Sequence, residues 1–182
     1  TYIRSRLNTV SYEAVVYAED EMRLNNHLSA NIGASLTATI VSGRTYLMLD
    51  PRLALKWQLS NSTSIKMSYT HMSQSIHRMA SSFLELPTDF WVPTTDDIKP
   101  TMSHQMAAGV YTQPSPHLTL SLEAYYKLSS HLLQYRHWMG FQPSAATWSR
   151  DVADGKGKSY GLEADATYTT GTTTLSMAYT LS

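Results

Sequence analysis

The sequence predicts an all-β protein: an antiparallel transmembrane β-barrel section of about eight up-and-down strands with long extracellular loops. Three observations carry that prediction. Apolar and polar residues alternate in segment after segment, at greatest length over the fourteen residues from His27 to Ile40. Charged residues form only 15% of the 182, below the roughly 25% of soluble domains, while 12 tyrosines and many Ser and Thr are present. Finally, short turns alternate with connections that are mostly longer, the asymmetry of an outer-membrane barrel.

The first strand falls at residues 11–22, where Tyr12, Ala14, Val16 and Ala18 oppose Ser11, Glu13, Tyr17 and Glu19. The second, residues 27–40, places Leu28, Ala30, Ile32, Ala34, Leu36, Ala38 and Ile40 on one side. Such a length crosses a bilayer with tilt, which takes about 9–11 residues. In the third, residues 45–59, Leu47, Leu49, Leu53, Leu55, Trp57 and Leu59 oppose Tyr46, Asp50, Arg52, Lys56 and Gln58. Pro51 lies inside it without an N–H for the ladder, which predicts an edge or a bulge. The fourth, residues 63–75, sets Ile65, Met67 and Tyr69 against Ser64, Lys66, Ser68 and Thr70.

Residues 76–103 then read as a long surface loop, with Pro87, Pro93 and Pro100 and with Phe90 and Trp91 beside acidic Asp89, Asp96 and Asp97. Connections of this length are functional or disordered, and clustered aromatics argue against plain disorder. The fifth strand, residues 103–112, has small residues on both faces. In the sixth, residues 117–129, Leu118, Leu120, Leu122, Ala124, Tyr126 and Leu128 oppose Thr119, Ser121, Glu123, Tyr125 and Lys127. A second long loop covers residues 130–156. In the seventh strand, residues 157–168, Tyr160, Leu162, Ala164, Ala166 and Tyr168 oppose Ser159, Gly161, Glu163, Asp165 and Thr167. The eighth, residues 173–182, carries Leu175, Met177, Tyr179 and Leu181 on its apolar side. Trp57, Tyr126 and Tyr168 would face lipid, the first and last near short turns, where an interfacial girdle belongs. A soluble antiparallel sandwich also alternates and stands as the competing fold.

Composition excludes several functions. Fourteen basic residues balance fourteen acidic ones, so the excess that nucleic-acid binding requires is missing. The absence of cysteine removes thiolate metal sites, thiol catalysis and disulfides. No apolar run reaches the 18 residues of a membrane-spanning helix, and no signal-peptide core is visible in TYIRSRLNTVSYEAV. Export to an outer membrane would therefore make this chain a piece of a longer protein.

LPTDFWVPTTDDIKP, followed by HQMAAGVY, LTLSLEAYYK, GKGKSYGLEADATY and LSMAYTLS, resembles the later barrel strands of a TonB-dependent outer-membrane receptor, and is most similar to the Bacteroidetes type. TYLMLDPRLALKWQLSNSTSIKMSYTHMSQSIH resembles the strands before that loop. The resemblance implies a barrel of about 22 strands filled by an N-terminal plug. It also implies uptake of a scarce nutrient (metal chelate, vitamin or glycan) with energy relayed through TonB in the bacterial outer membrane. Expected partners are outer-membrane lipid, the plug, the remaining strands, TonB through the parent chain, and a small-molecule or glycan ligand. The plug and its TonB-contacting box are not in this sequence, and both chain ends read as cuts. A small closed eight-stranded barrel binding a partner through its loops is the alternative. Small polar-face residues such as Gly33, Ser35, Thr37, Ser68, Ser121 and Gly161 would fill its interior poorly.

Candidate sites follow from the pattern. Glu13, Lys56, Lys66, Glu123, Lys127, Glu163 and Asp165 oppose the apolar stripe and would face the lumen, since a basic side chain at the lipid midplane costs about 2–4 kcal/mol. They would line a substrate path or simply be solvated and paired with one another. Asp89, Phe90 and Trp91 in one loop, and Trp138 and Trp148 in the next, offer flat apolar faces beside polar groups, suited to ligand capture or to loop packing. His71 and His77 stand six apart, as do His131 and His137, about 20 Å along a strand and too far to share a metal. Asp154 to Gly161 (DGKGKSYG) is superficially like a phosphate loop but is followed by a strand, and reads as a loop landing on that strand. Neither a nucleophile motif nor a cofactor motif is present, so no enzyme, metal site or cofactor is expected.

Overall fold

The computed structural model describes residues 9–41, 43–79, 90–135 and 152–182. These form ten strands: β1 Ser11–Arg23, β2 Leu28–Val41, β3 Arg44–Gln58, β4 Thr63–Gln74, β5 Ile76–Met79, β6 Phe90–Pro93, β7 Thr101–Ser115, β8 Leu118–Tyr135, β9 Val152–Thr170 and β10 Thr173–Leu181. Eight build one sheet in the order β1-β2-β3-β4-β7-β8-β9-β10, every pair antiparallel, and β5 pairs with β6 separately. Strands adjacent in the sheet are adjacent in sequence once β5–β6 is set aside, so the topology is up-and-down.

The register keeps the two faces separate. Lys56 lies opposite Lys66, Lys66 opposite Gly109, Gly109 opposite Glu123, and Glu123 opposite Glu163. One such row fixes all the others, because a one-residue slip would exchange the faces. Among the described residues no element covers the apolar face: Leu47 is 70% exposed, and Leu49, Met106 and Leu175 are also exposed. A soluble sandwich would bury that face under a second sheet. Here the second layer, β5–β6, lies on the polar side instead, and the sandwich alternative falls.

The small core sits beneath that layer. Val92, Ile98 and Val152 pack together with Leu133, and Thr39, Val41 and Met48 of the polar face are buried. Residues 76–103 are therefore not a surface loop throughout: they contain β5 and β6, and β7 begins at Thr101.

The loop expected over 130–156 is shorter as well. Past a bulge between Ser130 and Leu132, where His131 has φ 57°, the β8–β9 ladder resumes at Leu132 opposite Gly155 and runs to Tyr135 opposite Val152. The DGKGKSYG segment is strand, paired along its length. Its glycines and lysines hide the alternation, while cross-strand hydrogen bonding needs only backbone.

At Pro51 the two neighbours of β3 behave differently. β2 pairs along the whole of β3, whereas the β4 ladder stops at Arg52 opposite Thr70. Pro51 has no N–H to continue it. Side chains take over in the seam: His71 Nδ1 lies 3.0 Å from the Leu49 carbonyl and 3.0 Å from Asp50 Oδ1, and Ser73 Oγ donates to Asp50 at 2.8 Å.

The small polar-face positions are roofed by longer neighbours. Arg52 lies across Gly33, where an added Cβ would stand 3.2 Å from its Cγ, and reaches Glu19 at 3.7 Å. Tyr125 covers Gly161 in the same manner, with only 2.7 Å between its ring and an added Cβ. β1 and β10 lie at opposite ends of the sheet and do not pair with each other, so a closed eight-stranded barrel is not formed.

Candidate ligand-binding site

The β5–β6 layer is held on the polar face by a set of hydrogen bonds from three directions. From β1, Glu13 accepts from Ser75 Oγ at 2.6 Å and from Thr39 Oγ1 at 3.2 Å. From β3, Tyr46 OH donates to the Thr95 carbonyl at 2.6 Å, and Arg44 Nη1 donates to the Asp96 carbonyl at 3.0 Å. Backbone bonds complete the turn after β6, with Thr94 N–H on the Ser75 carbonyl at 2.7 Å and Thr95 N–H on the Ile98 carbonyl at 3.0 Å.

The third direction runs through His77, which is 5% exposed. Thr94 Oγ1 donates to the Ser75 carbonyl and Thr101 Oγ1 to the His131 carbonyl, both at 2.8 Å. Each hydroxyl thus offers a lone pair to the imidazole. The shorter contact, Nδ1 to Thr101 Oγ1 at 3.0 Å, suits an Nδ1–H tautomer, and Nε2 faces Thr94 Oγ1 at 3.3 Å. Burial holds the His77 pKa below its ordinary 6.5, because a charged ring loses hydration there. His77 therefore joins the inner layer to β7 and β8 as a neutral ring.

Alternation along β6 sets Val92 and Thr94 inward, 1% and 0% exposed, and leaves Trp91 62% exposed on the opposite side. Asp96 and Asp97 follow it, also exposed. This is a rigidly backed platform with an indole and two carboxylates on its free side, an arrangement suited to binding a ligand that carries both an apolar surface and hydrogen-bond donors. Phe90 opens β6 opposite Met79, with its side chain outside the described residues, as are Asp89, Trp138 and Trp148.

Below the platform the remaining predicted residues share the polar face. Lys66 Nζ stands 4.1 Å from the centre of the Tyr111 ring, and the Tyr111 hydroxyl is hydrogen-bonded to Glu123. Gly109 leaves room for that link, since a Cβ there would come within 2.8 Å of Glu123 Cγ. Lys56 lies beside Lys66, Glu163 beside Glu123, Lys127 between Gln105 and Ser159, and Asp165 opposite Ser121. Sequence reasoning missed Arg44, Tyr46, His77 and Glu13 as the pins of the inner layer. Tyr46 and Glu13 on the polar face were visible; what they hold was not, because it lies up to 62 residues away.

His71 and His77 serve separate structures. His71 instead packs against His104 of β7, with ring centroids 4.5 Å apart and the ring planes tilted by 49°. Among the described residues no group of three His, Cys, Asp or Glu could hold a metal ion.

Residues 1–182 match the family model described as TonB dependent receptor-like, beta-barrel. No curated protein sequence matches. Among solved structures, the FrpB iron transporter from Neisseria meningitidis (F3-3 variant) aligns with TM-score 0.67 and 15% identity, over 96% of this chain and 26% of that one. The alcaligin outer membrane receptor FauA from Bordetella pertussis aligns with TM-score 0.52 and 16% identity, over 94% and 30%. The FpvAI–pyocin S2 complex gives 0.57 and 13%, over 93% and 23%. At these identities the likeness is one of fold, and the chain spans about a quarter of the length of the first of these structures.

Proposed function

The chain belongs to the TonB-dependent receptor β-barrel family, and from that premise we propose that it forms part of the wall and the ligand-capturing mouth of an outer-membrane receptor for nutrient uptake. The family is one of receptors and transporters rather than enzymes. The observation that carries the reading is the inner layer. A sheet with an uncovered apolar face on one side bears, on its polar side, a pinned β5–β6 pair that presents Trp91, Asp96 and Asp97.

In this reading the apolar face meets outer-membrane lipid and the polar face lines the lumen. The free edges of β1 and β10 join the remaining barrel strands, and a plug fills the interior. A ligand, small molecule or glycan, is captured against Trp91, with Asp89, Phe90, Trp138 and Trp148 as further contacts. It passes Lys66, Glu123 and their neighbours once TonB draws on the plug. The Bacteroidetes-type assignment belongs to the same proposal. An iron transporter and an alcaligin receptor among the similar structures put ferric chelates first among substrates to try.

The test replaces Trp91 by Ala in the receptor that carries this chain. Ligand binding is then titrated over a panel of ferric chelates, cobalamins and glycans. Truncating a central aromatic contact is expected to weaken the bound member about tenfold or more, with unchanged receptor level in the outer membrane. Equal binding by wild type and variant across a panel that contains a bound ligand would remove Trp91 from the site. Absence of the protein from the outer membrane would remove the receptor reading itself.

A further inference from the structure

Spacing along the chain excludes a metal shared by His71 and His77, but the sheet brings a different pair of imidazoles together. The register sets His71 of β4 opposite His104 of β7, with ring centroids 4.5 Å apart and planes tilted by 49°. Each ring has already committed its Nδ1. That of His71 faces two acceptors, the Leu49 carbonyl and Asp50 Oδ1, both at 3.0 Å. It must therefore carry the proton, and Nε2 of the neutral ring is a bare lone pair. Nδ1 of His104 lies 2.9 Å from the Tyr69 hydroxyl, which can accept from it and leave Nε2 bare there as well. Among the described residues neither Nε2 has a hydrogen-bond partner, although the His71 side chain is only 13% exposed.

An imidazole whose second nitrogen is fixed by a carboxylate or a backbone carbonyl is oriented as a metal ligand is. The spacing of the rings fits as well. An ion about 2.0–2.1 Å from an imidazole nitrogen lies about 3.2 Å from the ring centre, so two rings sharing it at about 90–109° stand about 4.5–5.2 Å apart. Tilted planes, unlike a parallel stack, bring ring edges rather than faces toward each other. Two neutral nitrogens with water in the remaining positions suit Zn²⁺, Ni²⁺ or Cu²⁺, and not the oxygen-seeking Mg²⁺ or Ca²⁺. Water reaches the place: along β4 the apolar Ile65 and Met67 give way to Tyr69, His71 and Ser73, and His104 is exposed.

We infer that His71 and His104 form a two-histidine site for a late first-row divalent cation, which clips β4 to β7. The clip lies beside the seam, where the β3–β4 ladder has stopped at Arg52 opposite Thr70 while the β4–β7 ladder runs on to Gln74 opposite Thr101. Asp50 orients His71 from β3, so one carboxylate and two imidazoles brace three strands around the ion. The site is independent of ligand capture at Trp91.

The test uses the whole receptor without a histidine tag, stripped of metal by EDTA in mild detergent. Zn²⁺ is titrated in competition with a chromophoric chelator, with Mg²⁺ present in large excess. Wild type is expected to bind one equivalent more than His104→Gln, or to bind it at least tenfold more tightly, and His71→Gln is expected to match His104→Gln. Zn²⁺ is also expected to raise the temperature of unfolding, read by heat-modifiable gel mobility, by about 2 °C or more in wild type beyond its effect on either variant. His104 is exposed and makes no contact with Asp50, so its replacement leaves the seam and the fold in place. Equal stoichiometry and affinity in wild type and His104→Gln, or an equal thermal shift in all three proteins, overturns the inference. So does a loss confined to His71→Gln, which would assign the effect to the broken seam, or displacement of Zn²⁺ by Mg²⁺.

Discussion

His77 shows how one buried side chain ties sequence-distant parts together. Its ring lies between hydroxyls of Thr94 and Thr101, and each hydroxyl spends its own proton on a carbonyl. With the folded pKa held below the ordinary 6.5, the released inner layer binds more protons than the docked one between those two values. The contribution of His77 to docking is therefore full above about 6.5 and is lost as pH falls through the depressed folded value. Protection factors of the β5 and β6 amides, that is exchange corrected for its intrinsic pH dependence, are expected to fall on acidification from pH 7.5 to 5 in wild type. In His77→Gln protection is expected to be lower at pH 7.5, by the equivalent of about 1 kcal/mol, and less dependent on pH over that range. An unchanged pH response in the variant would assign the effect to another group. Nothing in the sequence distinguishes His77 from the other six histidines. Its burial depends on a layer whose position is set by β1 and β3.

Among the elements, β3 was the most legible in part and the least in whole. Its alternation and the irregularity at Pro51 were both readable. Pro51 ends the ladder to one neighbour only, β4, and the seam is closed by Asp50, His71 and Ser73. Asp50→Ala removes the acceptor for both partners in a mostly buried place, with side-chain exposures of 13% for His71 and 15% for Asp50. A loss of about 1–3 kcal/mol is expected in denaturant unfolding of the reconstituted receptor. A change below roughly 0.5 kcal/mol would mean that water or backbone replaces Asp50 there. The longer β8 and β9 are a second case, since glycine-rich strand carries little side-chain pattern and only the partner strand defines it.

For the whole molecule the decisive fact is that the sheet has two edges. β1 and β10 each have one neighbour, and their residues are exposed almost throughout. Unpaired strand edges are not tolerated in hydrocarbon and pair with other chains in water. Expressed alone without detergent, these 182 residues are expected to aggregate, read by size-exclusion chromatography and light scattering. A monodisperse monomer in plain buffer would contradict both the exposed apolar face and the open edges.

Alternation with period two was enough, without any tertiary information, to define the all-β class, the two faces, and which charged residues share the polar one. The reason is local: successive side chains on any strand point to opposite sides. Where the long connection after β4 goes was decided only by tertiary structure. Its polar pins, Glu13, Arg44 and Tyr46, come from strands that precede it by dozens of residues, and its apolar contacts, Leu133 and Val152, from strands that follow. No periodicity encodes such a contact, because it forms between finished elements rather than along one.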